Sequence, residues 1–254
     1  MMKVGVFSFI AMYKMKKYWV VFDMDGVISD TQKYHGQVEA EIFAQYGIRT
    51  ISPESNEPIT PQWIGDNFAG VQPKEWMRRV FDAHNKGDQF DMHRIENEKN
   101  TLLYDKYKAW APIVFMPWAR AFIEQLYRSW EYIMAVVTAS NRECMLFVLQ
   151  TLWVDHMFNE LVSIYDIDPQ TWNSYTSKWD PVVYERLVEK YTISKFVMIE
   201  DGATWMNGAV KAWGKAIAII GDNNADKFPQ AISHHVDLTT LSVEGIESIL
   251  VLDI

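Results

Sequence analysis

The chain has 254 residues, of which 49% are hydrophobic and 22% are charged, and its net charge at pH 7 is −9. This length and apolar content suffice for one large domain or for two domains of unequal size. The negative charge disfavours nucleic acid and anionic membranes as partners, although a local basic pocket can still hold a small phosphate.

The ends of the chain and its cysteine content add further expectations. The single cysteine, Cys144, excludes an internal disulfide and a cysteine-based zinc site, and it is compatible with a cytoplasmic protein. An apolar run from Val4 to Tyr13 suggests the core of a signal peptide, but it is too short to span a bilayer and no typical cleavage site follows it. We therefore expect residues 1–14 to be an extension and the first domain to begin at Met15.

Five short apolar runs predict β-strands. In chain order they are YWVVFD (18–23), YIMAVVTAS (132–140), ELVSIYD (160–166), KFVMIED (195–201) and KAIAII (215–220). The segments ARAFIEQLYRSW, NRECMLFVLQTLW, DPVVYERLVEKY and NGAVKAWG lie between the later strands, with apolar residues at helical spacing. This alternation predicts an α/β fold, a doubly wound, Rossmann-like parallel sheet with helices on both faces.

A long insertion separates the first two predicted strands. Residues 34–110 contain the helical segments YHGQVEAEIFAQYG, QPKEWMRRVFDAHN and MHRIENEKNTLLYDKYKAW, with little strand signal. Some hundred residues between two strands are far more than a crossover connection needs. We predict a helical second domain over 34–110, inserted into a core made of residues 15–33 and 111–254.

Polar side chains follow the ends of three predicted strands. They are Asp23 and Asp25, then Thr138 and Ser140, then Glu200 and Asp201. In an open parallel sheet, ligands bind beyond the carboxyl ends of the strands. The sequence therefore predicts one crevice that collects these six residues.

The pattern of carboxylates in this crevice predicts phosphoryl chemistry. Asp23 can act as a nucleophile on phosphorus, with Asp25 beside it as proton donor and Gly26 permitting the chain to turn. Such a site needs positive charge. We expect Mg²⁺ bound by Asp23, Asp201 and a backbone carbonyl near Asp25, with Lys178 balancing the remaining charge.

The segment TASNRE predicts a phosphate-binding helix start. Ser140 and Glu143 have the spacing of a capping box, which predicts that a helix begins at Ser140. Its free N–H groups, together with the Thr138 hydroxyl, would bind the phosphate.

Four motifs in order resemble those of the haloacid dehalogenase superfamily: VVFDMDGVISDT, VVTAS, SKWDP and VMIEDGATWMNGAVKAWGK. The resemblance extends over residues 18–250 and looks closest to phosphatases and β-phosphoglucomutase, whose helical cap follows the first motif. It implies a Mg²⁺-dependent phosphatase that hydrolyses a small phosphate ester, such as a sugar phosphate, through an aspartyl-phosphate.

The resemblance also implies roles for individual residues. The implied catalytic residues are Asp23 as nucleophile, Asp25 as general acid/base, Thr138 as phosphate-binding hydroxyl and Lys178 as charge neutraliser. The implied metal site comprises Asp23, Asp25, Glu200 and Asp201, and the implied substrate-binding residues are Gly26, His35, Lys74, Ala139 and Ser140. For His35, a structural role is an equal alternative.

Two other functions remain open from the sequence. One is a phosphoryl-transfer mutase, but Pro73 stands where the mutase pattern has an arginine that binds a second phosphate, which favours hydrolysis. The other is a catalytically silent member that binds a phosphorylated ligand or a protein.

Tryptophan occupies six positions at which this family commonly has glycine or proline: Trp118, Trp130, Trp153, Trp179, Trp205 and Trp213. Glycine after a helix readily adopts a left-handed conformation, whereas tryptophan does so only at an energetic cost. The sequence therefore predicts strained backbone positions at several of these sites.

Overall fold

A computed structural model describes residues 18–68, 71, 73–109, 112–175, 177–193, 195–221 and 223–252. The predicted extension over residues 1–14 and the predicted domain start at Met15 lie outside these residues. Within the described chain, six parallel strands form one sheet in the order β3-β2-β1-β4-β5-β6. The strands are β1 (Tyr18–Phe22), β2 (Tyr132–Thr138), β3 (Glu160–Ser163), β4 (Phe196–Glu200), β5 (Lys215–Ile219) and β6 (Ala231–His235).

The sheet confirms the predicted α/β class and all five predicted strands. The sixth strand, β6, was not predicted. It pairs with β5 at the sheet edge, and none of its five residues is fully buried. An edge strand need not be apolar throughout, so the segment AISHH lacks the apolar run that marks a central strand.

Nine α-helices are assigned in the described chain. They are α1 (Gln32–Gln45), α2 (Pro61–Phe68), α3 (Pro73–Ala83), α4 (Met92–Ala109), α5 (Ala119–Ser129), α6 (Arg142–Thr151), α7 (Val182–Tyr191), α8 (Met206–Lys211) and α9 (Val243–Val251). Helices α1–α4 fall between β1 and β2, in the segment predicted to be an inserted helical domain. Helices α2 and α9 were not predicted. No helix among the described residues is long and apolar enough to cross a membrane.

Alternate residues of β1 face opposite sides of the sheet, and both sides are covered by helices. Val20 and Phe22 belong to the same buried cluster as Phe122 of α5. Trp19 and Val21 belong to the opposite cluster, with Leu187 of α7. Because both faces of β1 are apolar, this strand lies at the centre of the sheet, between β2 and β4.

The strand order reverses direction at β1, and this reversal positions the polar crevice. From β1 the chain adds β2 and β3 on one side, and then crosses to β4 on the other. The connections leaving β1 and β4 therefore diverge and open a gap beyond their carboxyl ends. The residues that follow these two strands, Asp23 and Asp201, face this gap.

Five tryptophans have a left-handed backbone: Trp118, Trp130, Trp153, Trp172 and Trp213, with φ between 58° and 65°. Trp153 and Trp213 each follow a helix and complete a Schellman motif. The Trp213 N–H donates to the Val210 carbonyl, and the next N–H donates to the Ala209 carbonyl. Four of the six tryptophans noted in the sequence thus have the expected conformation. Trp205 has a φ of −70°, and Trp179 is not among the residues with positive φ.

We predict that replacing Trp213 with glycine raises the free energy of unfolding by about 0.5–1 kcal/mol. A left-handed conformation costs a residue with a Cβ about 1–2 kcal/mol, of which the greater freedom of unfolded glycine cancels part. Trp213 is 91% exposed, so little packing is lost. Urea denaturation of the two proteins measures the difference.

Trp179→Gly is the matched control, because Trp179 is half-exposed but does not have a positive φ. We expect this change to lower stability. Equal destabilisation by both substitutions would show that the left-handed backbone at Trp213 carries no strain.

Candidate active site

A buried lysine joins the ends of two strands. Lys178 is 1% exposed, and its Nζ lies 2.8 Å from Oδ1 of Asp23 and 2.6 Å from Oε2 of Glu200. Burial alone would lower the pKa of this ammonium, but the two carboxylates raise it well above its usual value. Lys178 is therefore a fixed positive charge between the residue after β1 and the last residue of β4.

One lysine does not balance the carboxylates around it. Asp23, Glu200 and Asp201 each present an oxygen within 4.8 Å of the others. Burial, followed by the negative charge of Asp23, raises the pKa of Asp201 to about 7. A second cation would relieve this repulsion, and clustered carboxylate oxygens are the ligands that Mg²⁺ prefers. The side chains present thus fit a hard divalent cation.

The carboxylate of Asp25 is bound by a different set of groups. Ser140 Oγ donates to Oδ2 at 2.8 Å, Thr31 Oγ1 donates to Oδ1, and His35 Nε2 lies 3.4 Å from Oδ1. Burial would raise the pKa of Asp25, but His35, Thr31 and Ser140 together lower it to about 2. Asp25 is therefore ionised at neutral pH, and its carboxylate is outside the acidic cluster.

Gly26 permits the turn that separates the two aspartates. Its φ is 86°, and its N–H donates to the Ser29 carbonyl at 2.8 Å. A Cβ at this position would lie 2.0 Å from Oδ2 of Asp201. The absence of a side chain at Gly26 therefore lets the Asp201 carboxylate lie against the loop that follows β1.

The predicted capping box at Ser140 is wrong. Helix α6 is capped one residue later by Asn141, whose side chain accepts a hydrogen bond from the Cys144 N–H at 2.8 Å. The Ser140 hydroxyl is instead buried and donates to Asp25. Asn is as good an N-cap as Ser, so the local sequence allowed either position, and the tertiary contact with Asp25 decided between them.

Thr138 lies at the end of β2 and is fully buried. Its hydroxyl accepts a hydrogen bond from the Ser140 N–H at 3.0 Å and lies 3.4 Å from Asp25. The structure thus shows contacts of the Thr138 hydroxyl inside the protein, and its role with phosphate stays a prediction. The neighbouring Ala139 lines the open cavity.

A cavity of about 340 Å³ lies over the aspartates. Both the strand ends and the inserted helices line it. Among the predicted site residues, its lining includes Asp23, Asp25, His35, Ala139, Lys178 and Asp201. Lys74, predicted to bind substrate, is not in the lining, and its Nζ lies 2.6 Å from Nε2 of His93.

Three residues of the site were not predicted: Thr31, Glu39 and Lys99. Thr31 binds Asp25, while Glu39 of α1 and Lys99 of α4 line the cavity. The sequence contains a pattern that could have identified Lys99. Ile95, Lys99 and Leu103 follow one another at four-residue spacing, which places a lysine on the buried face of a helix. A charged residue at a core position indicates either a buried ion pair or a functional site.

Solved structures that resemble this chain support the fold. CbbY from Rhodobacter sphaeroides, in complex with phosphate, is 18% identical with a TM-score of 0.69, covering 92% of this chain and 100% of that one. A β-phosphoglucomutase from Clostridium difficile is also 18% identical, with a TM-score of 0.71 and coverages of 91% and 95%. A predicted phosphoglycolate phosphatase from Haemophilus somnus is 14% identical, with a TM-score of 0.61 and coverages of 85% and 92%.

The family assignment rests on the sequence as well as on the fold. A search of curated proteins gives no match. The model of the haloacid dehalogenase-like hydrolase family matches residues 19–212, which include most of β1, the inserted helices and the strand ends that carry Asp23, Thr138 and Glu200. The chain therefore belongs to the haloacid dehalogenase-like hydrolases.

Proposed function

We propose that this hydrolase is a Mg²⁺-dependent phosphatase that acts on a small phosphate ester of the sugar-phosphate type. The observation that carries the proposal is Asp23, a buried carboxylate held by Lys178 at the base of a cavity and beside a second, separately held aspartate. The fold shared with CbbY and with a predicted phosphoglycolate phosphatase supports it. We also propose that the protein is cytoplasmic, a location with which its single cysteine is compatible.

In the first step, an Asp23 oxygen attacks phosphorus and the bond from phosphorus to the ester oxygen breaks. Lys178 stabilises the ionised nucleophile and the negative charge that develops on the phosphoryl oxygens. The negative charge of the bound phosphate ester raises the pKa of Asp25 above its value in the free protein, so Asp25 can take up a proton from solvent and give it to the leaving alcohol. The products of this step are a free alcohol and an aspartyl-phosphate at Asp23.

In the second step, water attacks the aspartyl-phosphate and releases inorganic phosphate. Asp25 accepts a proton from this water, and the bond between phosphorus and the Asp23 oxygen breaks. The contacts from Thr31, Ser140 and His35 favour the ionised form of Asp25. The ionised carboxylate is the form of Asp25 that can accept this proton.

A divalent cation would be held by Asp23 and Asp201. Both oxygens of Glu200 are already engaged, one by Lys178 and the other by the N–H groups of Asp201 and Gly202. We therefore assign Glu200 mainly to the orientation of Lys178. When bound, the cation would supply positive charge to the phosphoryl oxygens.

The cavity lining favours hydrolysis over the mutase alternative. A mutase must hold a second phosphate while excluding water from the aspartyl-phosphate. Pro73 lies in the lining at the position where the mutase pattern has arginine, and Lys74 pairs with His93 instead of entering the cavity. No arginine is among the described residues that line the cavity.

We predict that the purified protein with Mg²⁺ releases inorganic phosphate from sugar monophosphates without a bisphosphate activator. Phosphorus NMR with β-glucose 1-phosphate and a panel of simple esters measures the products. Conversion of the 1-phosphate to the 6-phosphate with little free phosphate would establish a mutase. No reaction across the panel would favour a catalytically silent protein.

Asp23→Asn tests the origin of any activity that is found. The amide has nearly the same shape but is a poor nucleophile, so we expect phosphate release to fall by at least about 1000-fold. Asp30→Asn is the matched control, because Asp30 lies on the same loop but is only partly buried and pairs with Lys33. Its activity should match the unsubstituted protein.

We predict that Asp201→Ala raises the Mg²⁺ concentration needed for half-maximal activity by at least about tenfold, because the cation loses an anionic ligand. A Mg²⁺ titration of phosphate release after treatment with a chelator measures this change. Asp105→Ala, which removes an exposed carboxylate of α4, should leave the titration unchanged. An unaltered titration for Asp201→Ala would show that the metal binds elsewhere.

A further inference from the structure

The cavity contains a second buried ion pair, located on the inserted helices and away from the strand ends. Glu39 of α1 is 6% exposed and Lys99 of α4 is 2% exposed, and Oε1 of Glu39 lies 3.7 Å from Nζ of Lys99. Among the described residues, neither charged end forms a hydrogen bond with a third group. Both residues line the same cavity as Asp23 and Asp25.

Every lysine in the described lining of the cavity is paired with a carboxylate. Lys178 binds Asp23 and Glu200, Lys33 pairs with Asp30, and Lys99 pairs with Glu39. A second phosphate or carboxylate on the substrate would therefore find no uncompensated lysine. It would also approach Glu39, and like charges in a buried site repel strongly.

The same pair is well suited to hydroxyl groups. A separation of 3.7 Å is an ion pair without a short hydrogen bond, so each end retains capacity for a further bond. A substrate hydroxyl can accept from the Lys99 ammonium and donate to the Glu39 carboxylate, and a vicinal diol can do both with less strain. A cavity of about 340 Å³ is large enough for a small sugar.

We propose that Glu39 and Lys99 form a hydroxyl-binding subsite that selects an uncharged polyol as the leaving group. Glu39 is the specificity-determining residue, because its charge neutralises Lys99 and excludes substrates with a second anionic group. This inference rests on the proposed phosphatase function and specifies its substrate class, a phosphate monoester of a neutral sugar or polyol.

The test compares kcat/KM for β-glucose 1-phosphate and for β-glucose 1,6-bisphosphate, both measured as phosphate release. We expect the unsubstituted protein to prefer the monophosphate. Glu39→Gln leaves Lys99 uncompensated, so the preference should shift toward the bisphosphate by about tenfold or more.

Glu41→Gln is the matched control, since Glu41 lies two residues away on α1 but is exposed and pairs with Lys106. The double variant Glu39→Gln with Lys99→Gln removes both charges. It shows whether an effect of Glu39→Gln alone comes from misfolding around an unpaired lysine. The inference is overturned if the unsubstituted protein prefers the bisphosphate, or if Glu39→Gln and Glu41→Gln give the same substrate ratio.

A binding measurement separates this inference from the proposed function. Calorimetry of the Asp23→Asn protein, with and without Glu39→Gln, gives the affinities for the two sugar phosphates without turnover. If no ester is hydrolysed, the phosphatase proposal fails, but a preference for the monophosphate that depends on Glu39 still supports the subsite. Equal shifts in affinity for both ligands would overturn it.

The five tryptophans with a left-handed backbone have an unfavourable conformation for a bulky residue. In the described chain, seven residues other than glycine have positive φ, and five of them are tryptophan. Only a few per cent of non-glycine residues adopt this conformation, and a bulky side chain makes it rarer. All five side chains are exposed, by 58% to 91%, so burial of the indole does not compensate the strain.

We infer that these five positions are glycine in the protein as its own source makes it. The codon UGA is read as tryptophan in some genetic codes and as glycine in others, so one misassigned codon would place tryptophan at glycine sites throughout a sequence. The 12 glycines of the chain are also fewer than the roughly 7% typical of proteins.

The coding sequence and peptide mass spectrometry of the protein from its source test this inference. We expect UGA at all five positions and peptide masses that correspond to glycine. Trp76 is the control, because its buried ring packs against Phe43 and Phe68 and should be encoded by UGG. UGG at the five positions, or peptide masses that correspond to tryptophan, would overturn the inference.

Discussion

The position of Lys178 between Asp23 and Glu200 is the interaction on which the site depends. Burying two carboxylates at neighbouring strand ends is costly unless a cation compensates them. Lys178 supplies one charge, and its two short contacts fix the ends of β1 and β4 relative to each other. Because Asp201 adds a third carboxylate, the cluster remains short of positive charge. This deficit of positive charge would give the cluster affinity for a divalent cation.

The sheet topology and one glycine bring these groups within reach. The reversal of strand order at β1 opens a gap between the connections that leave β1 and β4, and Asp23 and Asp201 follow these strands directly. Gly26 then allows the chain to turn beneath Asp201 without a steric clash. The turn gives Asp25 a separate set of partners, and this separation keeps one aspartate next to a lysine and the other among hydroxyls.

The strands that carry this site, and most of the polar residues at their ends, can be predicted from the sequence. Apolar runs of five to seven residues mark the buried strands, and the acids and hydroxyls at their ends identify the crevice. The sequence does not determine contacts between distant segments. Ser140 and Asn141 are comparable N-caps, and only the position of Asp25, more than a hundred residues earlier in the chain, shows why Asn141 is used. The edge strand β6 was missed because partial exposure removes the apolar pattern.

For the helices between β1 and β2, the sequence predicts the helices but not the contacts of their buried charged residues. Helices α1 and α4 carry apolar residues at helical spacing, so their existence is predictable, but the partners of their buried polar residues are known only once the two helices pack together. Glu39 lies beside the buried Val38 and Ile42, and Lys99 lies between Ile95 and Leu103. Each charge alone would be unfavourable at its position, and packing α1 against α4 makes them a pair. In the proposed function, the groups that act on phosphorus lie at the strand ends, whereas this pair lies on the helices that would surround the rest of the substrate. If both proposals hold, chemistry and selectivity have separate structural origins, and substitutions on α1 and α4 would change the substrate without disturbing the charge balance around Lys178.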